Sequence, residues 1–94
     1  MKVILFGNEK CGSCKKWKPT FEKLMRQYNI NYGYVDIDNE IEMKNRHNIH
    51  AIPDTLFFDD DGKEMGHILG NMVEDIAIKQ IEYYLNGGKG ETQG

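Results

Sequence analysis

The chain has 94 residues, 39% of them apolar and 29% charged, with a net charge of −3 at pH 7. That length suits one domain, able to bury roughly 60–68% of its unfolded surface. The charge argues against a nucleic-acid partner, and the apolar run Val3–Phe6 is too short for a signal-peptide core or a membrane span.

The β-branched run Lys2–Phe6 reads as a buried strand. Trp17, Phe21, Leu24, Met25 and Tyr28 follow at steps of three and four, so the spacing predicts a helix over Gly12–Tyr28 with one apolar stripe. Pro19 lies inside it and is expected to kink it. Trp17, on that stripe, reads as a half-buried core residue. Tyr32–Ile37 alternates as a second strand, and Asn39–His47 forms a polar helix that Asn48 can close in the left-handed conformation. Thr55–Phe58 is a third strand. Asp59–Gly62 is turn chemistry, and Lys63–Leu69 returns as a fourth strand, completing a hairpin. Asn71-Met-Val-Glu74 resembles a capping box ahead of a last helix carrying Val73, Ile76, Ala77, Ile81, Tyr84 and Leu85, and Asn86-Gly87-Gly88 ends it.

The order β-α-β-α-β-β-α predicts an α/β fold: a four-stranded mixed sheet flanked by three helices, one on one face and two on the other. Strands separated by helices imply parallel pairing, and the hairpin adds antiparallel strands. The domain is expected to span residues 1–88, with 89–94 a flexible Gly-rich tail.

Both cysteines fall in one stretch, "EKCGSCKKWKP", as Cys11 and Cys14. Three readings compete: a metal half-site, a structural staple and a working dithiol. A disulfide closing so short a loop gains little unfolded-state entropy. Zinc would need His47 and His50, whose spacing is tighter than that of the usual finger. Without a secretory signal the expected compartment is the cytoplasm, where a lone Cys-x-x-Cys is more often catalytic or metal-binding than structural. Cys11 sits at the start of the first long helix, where free N–H groups and the helix dipole favour a thiolate. Lys10, Lys15 and Lys16 add positive charge, with Lys10 the candidate for tuning the thiol's proton affinity. Cys14 lies one turn on, within reach of Cys11, which suits thiol–disulfide exchange: Cys11 attacks and Cys14 resolves.

The chain resembles the thioredoxin/glutaredoxin superfamily over roughly residues 2–86. "CGSCK" is similar to the thioredoxin active-site sequence "CGPCK", and Pro19 stands eight residues after Cys11, as the helix-kinking proline does in thioredoxins. "HNIHAIPDTLFFDDDGKEMGHILG" resembles the family's cis-proline segment, apolar strand, turn and following strand. Ile52-Pro53 matches the cis-proline dipeptide and Gly70 the later glycine near the active site. The resemblance implies a minimal redoxin of thioredoxin-like fold, starting at the central strand and lacking the N-terminal strand and helix of thioredoxins. It implies a thiol–disulfide oxidoreductase with catalytic Cys11 and Cys14. Gly12, Ser13, Ile52, Pro53 and Gly70 would bind substrate, and neither metal nor cofactor is needed because the electrons reside in the thiols. The implied partners are disulfide-containing proteins, ribonucleotide reductase among the candidates, and a flavoprotein disulfide reductase as electron source. A monomer is expected, with no nucleic-acid or membrane partner.

The departures from the family pattern are specific. Lys10 replaces the tryptophan before the first cysteine, Gly12-Ser13 replaces Gly-Pro, and Asp54 replaces a threonine. Leu5 stands where thioredoxins carry a buried aspartate, which leaves the base for Cys14 unassigned, with water and Glu9 both open. Glutaredoxins carry Cys-Pro-Tyr-Cys and a Gly-Gly plus acidic motif. Here Gly70-Asn71, with Glu74 and Asp75 further on, is a poor match, so reduction by a flavoprotein is favoured over glutathione. The alternatives are a glutathione-dependent glutaredoxin and a non-catalytic binding module of the same fold.

Overall fold

The β-branched and aromatic runs become strands and the apolar stripes become helices, in the order expected. In the computed structural model, which describes residues 1–87, β1 (Lys2–Gly7), α1 (Gly12–Gln27), β2 (Asn31–Asp36), α2 (Ile41–Arg46), β3 (Asp54–Phe58), β4 (Glu64–Leu69) and α3 (Glu74–Leu85) follow one another. The expected tail, 89–94, lies outside the described residues, as does Gly88. The sheet order is β2-β1-β3-β4. β1 pairs parallel with β2, from Lys2 opposite Asn31 to Gly7 opposite Asp36. β3 runs antiparallel to β1 although a helix precedes it, and β4 completes the antiparallel hairpin with a register shift at Phe57/Phe58.

Period-2 alternation divides the sheet into two apolar faces. Val3, Leu5, Phe57 and Ile68 meet Trp17, Phe21, Leu24 and Met25 of α1 and Ala77, Ile81 and Tyr84 of α3. Phe6, Leu56 and Phe58 meet Ile49 and Met43 on the α2 side. Two helices thus cover one face and one covers the other. Each large side chain buried this way contributes about 1.5–3 kcal/mol relative to exposure.

Trp17 is buried more deeply than expected, at 1% exposure. An indole can go that deep because its Nε1–H donates to Thr55 Oγ1 at 2.9 Å, tying α1 to β3. α1 runs through Pro19 without a break. The capping box at Asn71 does not form. Helix α3 starts at Glu74 with Val73 as an extended N-cap, and no side chain caps it. Asn71 therefore stands too far before the first free N–H groups. Met72 packs against the core instead, while Glu74 and Asp75 supply negative charge to the first turn. Asn48 closes α2 at φ 56° as expected. In the hairpin turn Asp59 Oδ1 accepts the N–H groups of Asp61 and Lys63, each at 2.9 Å. Among the described residues no helix is long and apolar enough to cross a membrane.

Candidate functional site

β1 ends at Gly7 and a short loop delivers the chain to Cys11, the N-cap of α1. The Cys11 backbone is extended, at φ −86° and ψ 114°, and its Sγ accepts the Cys14 N–H at 3.1 Å. A sulfur thus takes the place that a serine or aspartate oxygen usually holds at a helix start. Cys11 is partly exposed, whereas Cys14 is buried at 3% exposure. Burial pushes the Cys14 thiol up from its ordinary 9.0 to about 11, helped by the hydrogen bond and charge of Cys11 and opposed by the Asn8 backbone N–H. Cys14 lies against the end of β1 so closely that a Cβ on Gly7 would sit 2.9 Å from its Sγ. Only glycine leaves this space.

The second wall comes from the loop before β3. The Ile52-Pro53 peptide bond is cis, as the resemblance implied. The Ile52 carbonyl oxygen faces Cys11, 4.0 Å from its Sγ. The Pro53 carbonyl accepts the Gly70 N–H at 2.7 Å, and Gly70 turns the chain at φ +87°, a conformation open to glycine. Cys11, Ile52, Pro53 and Gly70, far apart in sequence, thus share one end of the sheet. Gly12 and Ser13 are exposed in the first turn of α1. Lys10 is exposed as well, and its backbone N–H donates to Asn8 Oδ1.

Three features of the site are marked by no motif in the sequence. Tyr34 of β2 reaches toward Cys14, with Lys18 Nζ 4.3 Å from the centre of its ring. Period-2 alternation from Tyr32 was the available signal, since both rings fall on the α1 face. Asp54, beside Pro53, is buried and bonded to His67 Nδ1 at 2.8 Å. Gly7 is the third. His47, weighed as a zinc ligand, packs its ring against Phe6 and Phe58 at 5.6 and 5.4 Å. Among the described residues no cluster of His, Cys, Asp or Glu is arranged to hold a metal.

The family model described as thioredoxin matches residues 1–82. A thioredoxin from Borreliella burgdorferi is 36% identical over 63 residues, covering 65% of this chain and 54% of that protein. Thioredoxin-1 from Saccharomyces cerevisiae is 32% identical over 79 residues, covering 83% of this chain and 74% of that protein. The chain therefore spans about half the length of the first and three quarters of the second. The structure of thioredoxin 1 from Thermosipho africanus superposes with a TM-score of 0.82 at 23% identity, over 94% of this chain and 98% of that one, a likeness of fold.

Proposed function

Since the chain belongs to the thioredoxin family, matched over residues 1–82, we propose that it is a thiol–disulfide oxidoreductase that reduces protein disulfides through Cys11 and Cys14. The observation that carries this reading is the asymmetry of the two thiols. Cys11 is partly exposed at the helix start, while Cys14 is buried, protonated at neutral pH and one turn behind.

Cys11 attacks one sulfur of a substrate disulfide, forming a mixed disulfide and releasing the first substrate thiolate. The Cys14 N–H, 3.1 Å from Cys11 Sγ, donates to the attacking sulfur while it carries negative charge. The Ile52 carbonyl beside Cys11, with Pro53, offers a backbone edge to an extended substrate. Gly70, tied to Pro53, and the exposed Gly12-Ser13 turn bound the same rim. Cys14 then gives up its proton and attacks Cys11 Sγ. The Cys11–Cys14 bond forms, the mixed disulfide breaks, and the second substrate thiol leaves. Two electrons have passed to the substrate, and a flavoprotein disulfide reductase would return them. Ribonucleotide reductase is among the candidate substrates, and the cytoplasm is the compartment that suits such a dithiol.

Trapping tests the assignment. Cys14→Ser should hold stable mixed disulfides with a model protein disulfide, and Cys11→Ser should form none and reduce nothing. Trapping through Cys14 in the Cys11→Ser protein, with none in the reverse variant, overturns the assignment. Binding to the same partner that survives loss of both thiols, without turnover in the parent, would make the protein a docking module.

A further inference from the structure

Resolution of the mixed disulfide requires Cys14 to lose a proton from a buried position, and Leu5 and its apolar neighbours offer no base. A cavity of about 260 Å³ reaches Cys14 from outside, lined by Asn8, Glu9, Cys14, Lys15, Lys18 and Tyr34. Lys15 and Lys18 bring ammonium groups, which are hydrogen-bond donors only. The Asn8 N–H also donates to the sulfur, and the Asn8 side-chain oxygen accepts from Lys10. Glu9 is exposed at the mouth, and Asp36 at the end of β2 accepts the Asp38 N–H. The Glu9 carboxylate and the Tyr34 hydroxyl can each take a proton and pass one on, but Glu9 lies out at the mouth, whereas the Tyr34 hydroxyl stands with Cys14 against Gly7.

Its placement fits that task. Both groups pack against Gly7: a Cβ there would stand 2.9 Å from Cys14 Sγ and 3.4 Å from the Tyr34 hydroxyl oxygen, which brings sulfur and hydroxyl within reach of one bridging water. Lys18 sits over the Tyr34 ring and holds it against α1. Tyr34 is raised from its ordinary 10.0, by burial first, then by the charge of Asp36, by Cys14 and Cys11 once they ionise, and by Glu9, so at neutral pH it is the O–H form that faces Cys14.

We propose that the Tyr34 hydroxyl, through one bridging water, relays the Cys14 proton out of the site as Cys14 attacks Cys11, an inference that rests on the dithiol reading above. The Cys14 S–H proton passes to the water, the water gives one to the Tyr34 oxygen, and the Tyr34 O–H hands its own to solvent. The departing substrate thiolate takes a proton back from solvent, so protons balance and no oxidant beyond the substrate disulfide is required. Tyr34 is a positioning residue for the proton and forms no bond to sulfur.

The test follows the resolving step alone. Reduced protein is mixed with excess Ellman's reagent; the first coloured thiolate reports attack by Cys11, and the second reports attack by Cys14 on Cys11. Tyr34→Phe keeps the ring under Lys18 and removes the oxygen. Its second phase should be at least about tenfold slower than that of the parent at pH 7. It should converge with the parent at high pH, where the Cys14 thiol ionises unaided, and the first phase should be unchanged. Tyr34→His, whose ring can also take and pass a proton, should recover part of the neutral-pH rate. Identical pH profiles for Tyr34→Phe and parent overturn the relay, as does an equal slowing at every pH, which marks a structural role. Should Tyr34→Phe fail to fold, Tyr34→Met replaces it in the comparison with Tyr34→His, with equal rates again overturning the relay. A parent that shows no second phase refutes the dithiol reading itself, a result distinct from any of these.

Discussion

Taking the reduced protein from well below pH 9 to well above pH 11 should lower its stability by about 3 kcal/mol in all through Cys14 alone. In the unfolded chain this thiol titrates near its ordinary 9.0, and in the folded chain burial, with Cys11 beside it, moves it to about 11. Below pH 9 both states hold the proton and the stability contribution is fully present. Between the two values the unfolded state binds fewer protons, so stability falls as pH rises, and above pH 11 the loss is complete. Two pKa units correspond to about 3 kcal/mol, with about half gone by pH 10. The side chain is only 3% exposed, so solvent screens this effect little. Urea unfolding of parent and Cys14→Ser, both held reduced by a non-thiol reductant, isolates the effect, because tyrosines and lysines titrate in both proteins. The parent-minus-variant difference in unfolding free energy should shrink by about 3 kcal/mol from pH 8 to above pH 11. A difference that stays level across that range refutes the buried, protonated thiol and the need for a proton path with it.

Two further outcomes test the packing that positions the site. Trp17→Phe and Thr55→Val each break the 2.9 Å buried hydrogen bond and leave one partner unpaired, at about 1–3 kcal/mol each, with more for the tryptophan because its volume is also lost. The double variant should be less destabilised than the sum by about 1–2 kcal/mol in urea melts, and simple additivity would refute the pairing. Gly66→Ala would set a Cβ 2.8 and 2.9 Å from Cζ and Cε1 of the Tyr84 ring, which stacks on Phe57 at 4.5 Å. It should lower stability by about 1–3 kcal/mol, seen as a drop of about 4 °C or more in Tm, and an unchanged Tm would show that the ring moves freely aside.

What the chain determined locally, it determined well. Strand periodicity, the α1 stripe and the Asp-rich turn each rest on residues close together in the chain, and each element formed within one or two residues of its expected bounds. Helix starts depended on more than local pattern: Asn71 looked like a cap, yet α3 starts at Glu74, with Val73 as its N-cap and Met72 packed against the core. The site was legible where it rests on sequential spacing, as in Cys11 and Cys14, or on a family resemblance, as in Ile52, Pro53 and Gly70. Only the tertiary structure decided that β3 lies antiparallel beside β1, and only it decided three contacts. Thr55 meets Trp17 across 38 residues, Asp54 meets His67, and Tyr34 packs with Cys14 against Gly7. Those contacts arise from strand order and helix docking, which join residues that share no periodic relation along the chain. A buried thiol's proton affinity likewise depends on what surrounds it in space, and for Cys14 those neighbours come from β1, the loop after it and β2 as well as from its own helix.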